Sequence, residues 1–134
     1  MVSDPGGLFE FQADDWSQIE RYRFGTRTCD LLICRRCGVF IAAVAEMTEG
    51  IRAVVNVNCL NVRASFTSAP MMHEFQDETI ESRLSRRAAN WMPAILSSPS
   101  DETVSNPGVV WVGLITADRG ERDEVAGHGG VERE

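Results

Sequence analysis

The sequence contains no lysine, because all 13 basic residues of the 134-residue chain are arginine. Enzymes that form a Schiff base need a lysine amine, and nucleotide-binding phosphate loops need a lysine beside the phosphates. Both classes are therefore excluded. Histidine occurs only twice, and the chain has no Ser-His-Asp set, no glycine loop that could grip a phosphate and no dinucleotide-binding fingerprint.

Long apolar segments are absent as well. No run approaches the roughly 18 apolar residues that a membrane-spanning helix needs, and the first eleven residues lack the basic patch and apolar stretch of a secretory signal. We therefore expect no membrane association and a cytoplasmic location, where thiols stay reduced. A chain of this length fits one domain with room for tails.

The negative charge is concentrated near the end of the chain. The net charge is -7; residues 100–134 carry eight acidic residues against three arginines, whereas residues 1–99 carry twelve against ten. The body of the protein is therefore nearly neutral, and no basic face of the kind that binds nucleic acid is present. We expect no nucleic-acid partner.

Short apolar runs separated by turn residues predict a mainly β domain. Asp14 or Asp15 could cap a single helical turn after the first strand, and the alternating "VNVN" motif predicts that the last strand continues to residue 60. Because strands follow one another without intervening helices, we predict an antiparallel sheet. The predicted strands cover residues 8–11, 22–24, 29–34, 38–47 and 51–60.

One amphipathic helix is predicted over residues 77–91. Ile80, Leu84, Ala88 and Trp91 recur at helical spacing and form a single apolar stripe. Such a stripe is typical of a helix that docks on a sheet. Pro93 is expected to end the helix.

Residues 97–134 are predicted to be a linker followed by an acidic, glycine-rich, largely disordered tail. His128 would then be a solvated tail residue. Residues 109–115 interrupt this pattern with an apolar, β-prone run. This run is either an added edge strand or a sticky segment without a native partner.

Cys34 and Cys37 form a Cys-x-x-Cys motif that is followed by Gly38. The spacing suits a zinc knuckle, in which a tight turn presents two sulfurs to one ion; a thioredoxin-like redox pair and coincidence are the alternatives. A redox pair prefers a strand-to-helix junction. Strand-like residues flank this motif on both sides, so we favour a metal-binding hairpin. Arg35 and Arg36 would stabilise the thiolates in either case.

The other two thiols belong to Cys29 and Cys59, and each fits the role of a small buried hydrophobe better than that of a ligand. His73 is expected to lie on the surface near the start of the helix. A tetrahedral zinc site needs four ligands, so the motif alone accounts for half of one.

Residues 22–41, "YRFGTRTCDLLICRRCGVFI", resemble the family of glutathione-dependent formaldehyde-activating enzymes and centromere protein V, especially its bacterial aldehyde-activating branch. The similarity continues through "AVVNVNCLN" and "RLSRRAANWMPAIL" and covers about residues 2–96. The resemblance implies a partial family domain over residues 1–96. It also implies a β-tent of antiparallel sheets with one helix near the end, and zinc as cofactor.

The resemblance further implies a carbon–sulfur lyase type of reaction between a thiol such as glutathione, as co-substrate, and a small aldehyde. Of the family's two zinc sites, only the later Cys-x-x-Cys maps here, onto Cys34 and Cys37. The remaining ligands are expected upstream of a shortened start, so the catalytic residues are unknown and enzymatic activity is left open. The alternative is a non-catalytic remnant or partner-binding β domain with an incomplete knuckle. Such a domain could take ligands from Cys29 or Cys59 or share zinc across a homodimer.

Overall fold

A computed structural model describes residues 1–98 and the backbone of a strand at residues 110–115. These residues form a mainly β fold with one α-helix, as predicted. Helix α1 (Ile80–Asn90) lies between the fifth and sixth strands in the chain. The strands of the described residues are β1 (Leu8–Ala13), β2 (Ile19–Tyr22), β3 (Asp30–Cys34), β4 (Phe40–Met47), β5 (Gly50–Val55), β6 (Met92–Ser97) and β7 (Val110–Ile115).

Across the described ranges the strands form one sheet in the order β2-β3-β4-β5-β6-β1-β7. Strands β2 to β5 pair antiparallel, as predicted, and β6, which is not among the predicted strands, also pairs antiparallel with β5. Strand β1 instead runs parallel to both β6 and β7, so the prediction of a wholly antiparallel sheet is wrong. Parallel strands are joined by long connections. Turn residues in a sequence indicate only those strand pairs that a tight turn joins, so they do not reveal the partners of β1. The sheet is therefore mixed.

The main core lies against β1, whose residues alternate between partly buried and buried along the strand. Phe9 and Phe11 are almost fully buried, and the ring of Trp16 meets Phe11 edge-on with 5.5 Å between centroids. Strand β4 is buried on both faces: Ala42 belongs to this main core and Ala43 to a smaller cluster with Trp91. This double burial explains why β4 is built from small apolar residues.

Two predicted strands end earlier than expected. Strand β2 covers Ile19–Tyr22 and shares only its last residue with the predicted strand at 22–24, whereas β5 stops at Val55, after which a 3-10 turn forms at Val57–Cys59. The Asn56 side chain accepts a hydrogen bond from the backbone N–H of Asn58 at 3.2 Å and thereby caps this turn. A hydrogen bond between an asparagine side chain and the nearby backbone competes with the hydrogen bonds of a strand. Here the bond of Asn56 ends the strand, although the alternating "VNVN" motif predicts that the strand continues.

Helix α1 forms where predicted, with Thr79 as its N-cap, but of its predicted apolar stripe only Trp91 is buried, in the small cluster with Ala43. Ile80 is 53% exposed and Ala88 is exposed, whereas the buried helical residue is Arg87. The helix is held by polar contacts: the Arg87 guanidinium donates to the carbonyl and hydroxyl of Thr28 at 3.1 and 2.8 Å. Within the described ranges, no helix has the length and apolar character to cross a membrane.

Strand β6 is not among the predicted strands, because the sequence gives Pro93 only the role of ending the helix. Trp91 is the C-cap of the helix, and the chain enters the sheet at Met92. Of the two readings of residues 109–115, the edge strand is observed as β7. The remaining predictions for the tail, including His128, fall at positions 99–109 and 116–134 and lie outside the described residues.

Candidate metal-binding knuckle

Cys34 is the last residue of β3, and Cys37 lies in the turn that leads to β4. The backbone N–H of Gly38 donates to the Cys34 carbonyl at 2.8 Å, and the N–H of Cys34 donates to the Val39 carbonyl at 2.9 Å. Gly38 has φ +73, a conformation that residues with a Cβ rarely adopt. We call residues 34–39 the knuckle. Its position between two strands is the one that the sequence predicts for a metal-binding hairpin and not that of a helix-based redox pair.

The two sulfurs of the knuckle differ in exposure but are close to each other. Cys34 is 8% exposed, whereas Cys37 is exposed. Burial raises the pKa of the Cys34 thiol, but hydrogen bonds from the backbone and thiol of Cys37, the backbone of Arg36 and the charge of Arg36 together lower it below its ordinary value. The turn therefore stabilises the thiolate form, which is the form that binds metals.

The arginines of the turn play different parts. Arg36 contributes positive charge to the Cys34 thiolate, in line with the sequence prediction. Arg35 instead pairs with Glu20 at 2.6 Å on the surface, and its backbone N–H donates to the Gln18 carbonyl at 2.8 Å. Because the ion pair is exposed, it contributes little stability. The backbone bond to Gln18 therefore joins the knuckle to the 3-10 turn before β2.

Cys59 lies beside the knuckle, which sequence spacing did not reveal. Its Sγ donates to the Phe40 carbonyl at 3.3 Å, and Phe40 follows the knuckle directly. The pKa of the Cys59 thiol is raised, mainly by burial and to a smaller extent by the negative charge of Cys37. The pairing of β4 with β5 brings Cys59 close to Phe40. A sequence does not reveal such a contact unless the register of the two strands is known. Cys59 is half-buried.

The remaining candidate ligands lie elsewhere. Cys29 precedes β3 and packs against a small cluster with Ala43 and Trp91. Five residues of extended chain separate Cys29 from Cys34, which corresponds to about 16 Å at the rise of a strand. His73 is exposed, as predicted, and stacks on Phe75 with 5.7 Å between ring centroids. Neither residue can join the knuckle without rearrangement of the backbone.

The knuckle fits one half of a zinc site. Zinc in a structural site takes four ligands in a tetrahedral arrangement, and the turn presents two sulfurs. In the described part of the chain, no three His, Cys, Asp or Glu side chains are placed so that they could hold one ion. Two cysteine sulfurs are therefore suitable ligands for zinc, but they fill only two of its four coordination positions.

A small, mostly apolar pocket is lined in part by Leu60. Its cavity has a volume of about 120 Å³ and begins at Leu60, the residue that follows Cys59. The Asp4 side chain is its one charged lining group. A cavity of this size accommodates a ligand of only a few heavy atoms. The other lining residues are apolar: Val2, Phe9, Val55, Phe66 and Met92.

Comparison of the chain with protein-family models, with curated proteins and with solved structures gives no match. The resemblance of residues 22–41 to the formaldehyde-activating family therefore stays a hypothesis that rests on the motif. The structure establishes the mainly β fold and the hairpin position of the cysteine pair.

Proposed function

We propose that this chain binds zinc through Cys34 and Cys37 and takes part in carbon–sulfur chemistry between a thiol such as glutathione and a small aldehyde. The observation that carries the proposal is the knuckle itself: two adjacent sulfurs in one turn, with backbone N–H groups bonded to Cys34. The type of reaction and the β-tent arrangement rest on the resemblance of residues 22–41 to the aldehyde-activating branch.

Zinc, when bound, supplies a Lewis acid that stabilises thiolates and polarises carbonyl groups. The residues of the chain have narrower tasks: Cys34 and Cys37 hold the ion, and Arg36 keeps a positive charge beside them. The resemblance places catalysis in a separate cysteine cluster that matches no residue here, so no catalytic residue is assigned.

The test is formation of the thiol–aldehyde adduct. The zinc-loaded protein is mixed with glutathione and formaldehyde, and the adduct is followed by NMR. We expect a rate above that without protein, and a return to the uncatalysed rate in Cys37→Ser. Cys29→Ser is the matched control, because Cys29 lies at the opposite end of β3. A wild-type rate equal to the uncatalysed one would contradict the proposal.

A second candidate is a non-catalytic domain that binds a partner through an incomplete knuckle. It is favoured by the lack of a third ligand in place among the described residues. Two copies joined at a twofold axis would bring four knuckle sulfurs together and bind about half an ion per chain, because zinc takes four ligands. Elemental analysis together with the native mass decides: one zinc per monomer contradicts this candidate.

A further inference from the structure

We propose that the cavity lined by Leu60 and Asp4 is a binding site for a short alkylammonium ion. The carbon chain of the ligand fills the apolar space, and its charged nitrogen lies at the Asp4 carboxylate. Protein interiors are close-packed, so a native void that holds several heavy atoms is unusual. None of the lining residues belongs to the knuckle, so this inference is independent of the proposed function.

The inner wall of the cavity belongs to the main core. Phe9, Val55 and Met92 line it, and each is at most 2% exposed. These side chains offer no hydrogen bond to water, so an apolar ligand that enters leaves water and gains contacts. The volume of about 120 Å³ is slightly below the roughly 150 Å³ of an engineered apolar cavity that binds benzene. We therefore expect a chain of about four carbons.

The segments that close the cavity are held by backbone bonds. The Val2 N–H donates to the Val55 carbonyl at 2.7 Å, and the Val55 N–H donates back to the Val2 carbonyl at 2.9 Å. On the other side, the Leu60 N–H donates to the Val57 carbonyl at 3.1 Å, and the Leu60 carbonyl accepts from the Arg63 N–H at 3.1 Å. The site is thus formed before a ligand arrives, which reduces the entropy that binding costs.

The Asp4 carboxylate determines which polar group the ligand needs. Asp4 is the one exposed residue of the lining, so the mouth of the cavity lies beside it. Its Oδ1 accepts from the Gly6 N–H at 2.9 Å, and its carbonyl accepts from the Gly7 N–H at 2.9 Å. Among the described residues, no hydrogen bond reaches Oδ2. A carboxylate only accepts hydrogen bonds and attracts positive charge, so an ammonium group is its best partner.

The experiment compares three probes that share a four-carbon scale and differ in their polar end: butylammonium, 1-butanol and butyrate. Each is titrated into the full-length protein, and the methyl resonances of Val2, Val55 and Leu60 are followed by NMR. We expect butylammonium to bind about threefold more tightly than butanol, because an exposed ion pair contributes modestly, and butyrate to bind most weakly. The methyl groups of Val54, in the smaller cluster, should not shift.

A wild-type measurement isolates the charge without any variant. At about 1 M salt, exposed charges are strongly screened. We expect the preference for butylammonium over butanol to disappear there, while butanol binding persists.

Two variants assign the polar end. Asp4→Asn keeps an acceptor for the Gly6 N–H but removes the charge. We expect it to bind butylammonium and butanol equally, with butanol affinity unchanged. Asp14→Asn, which removes an exposed charge outside the cavity lining, is the control and should match the wild type.

Three results would overturn the proposal. If none of the probes shifts the lining methyl groups, the cavity is not a ligand site. If butylammonium and butanol bind the wild type equally, or if the preference survives in Asp4→Asn, the ammonium group is not recognised by Asp4. Each of these results leaves the proposed function standing, because the adduct assay reports on the knuckle.

Discussion

At the residue scale, the side chain of Glu78 links helix α1 to the loop that precedes it. Its carboxylate accepts from the Arg86 Nε at 2.7 Å and from the Arg83 Nε at 3.1 Å, and the Arg86 guanidinium lies 3.8 Å from the centre of the Phe75 ring. The two guanidinium groups, that of Arg86 first, lower the pKa of Glu78 from 4.5 to about 2. The loop before α1 is thus tied to the helix.

The lowered pKa of Glu78 predicts an acid-sensitive contribution to stability. Because its pKa in the folded state lies below that in the unfolded state, the stabilisation is complete above about pH 4.5 and is lost as the pH falls towards 2. We expect Glu78→Gln to lower the thermal midpoint at pH 7, and the difference from the wild type to shrink over that range. Glu81→Gln, an exposed residue of the first turn of α1, is the control. A difference that stays constant between pH 7 and pH 2 would contradict the role of Glu78.

Arg87 is a buried cation whose partners are neutral. It is 7% exposed, it bonds to Thr28, its guanidinium lies 4.7 Å from the Trp91 ring centre, and its Nε has no partner in the described structure. Burial lowers the pKa of Arg87. The bonds to Thr28 nevertheless join α1 to the loop before β3.

Loss of the Arg87 side chain should therefore destabilise the fold. We expect Arg87→Ala to reduce the free energy of unfolding by about 1–3 kcal/mol, because the Thr28 carbonyl and hydroxyl lose their donor. Urea unfolding measures the change. Arg63→Ala, in an exposed 3-10 segment, controls for loss of an arginine. Equal midpoints for the two variants would show that the contact with Thr28 contributes nothing.

At the scale of elements, the sequence predicts best what neighbouring residues determine. The hairpin of β3 and β4 was predicted, because its strand residues and the glycine of its turn are local signals. The end of β5 at Val55 was missed, because the Asn56 side chain competes with the alternating pattern. The contact of Cys59 with Phe40, the residue that follows the knuckle, depends on the same turn.

The cap at Asn56 can be tested directly. Asn56→Ala removes the acceptor for the Asn58 N–H and the donor to the Phe40 carbonyl. We expect a loss of about 1–2 kcal/mol in unfolding free energy and faster hydrogen exchange at the amides of Asn58 and Cys59. Asn58→Ala serves as the control, since its exposed side chain does not cap the turn. If exchange at these amides is unchanged in Asn56→Ala, the turn is held by other contacts.

At the scale of the whole molecule, β1 joins elements that are far apart in the sequence. It lies between β6 and β7, and its buried phenylalanines build the main core. The sequence predicts a strand at β1 but not its partners, because pairing of Phe9 with Ala94 and of Leu8 with Val110 spans 85 and 102 residues and leaves no local signal.

Phe11 should accordingly be critical to the fold. It is fully buried and touches Phe9 and Trp16, with ring centroids 6.1 and 5.5 Å apart. We expect Phe11→Ala to cost about 3–5 kcal/mol, a large share of the net stability of a domain. Phe24→Ala, at a side chain that is 61% exposed, should change little. Similar unfolding midpoints for the two variants would contradict the assignment of Phe11 to the main core.

The central claim is that the knuckle binds zinc through the sulfurs of Cys34 and Cys37. X-ray absorption at the zinc edge of the zinc-loaded protein tests it most directly. We predict a shell of sulfur neighbours at about 2.3 Å from the metal, which is lost in the double variant Cys34→Ser, Cys37→Ser. Zinc surrounded only by nitrogen and oxygen, or a sulfur shell that persists in the double variant, would contradict the claim.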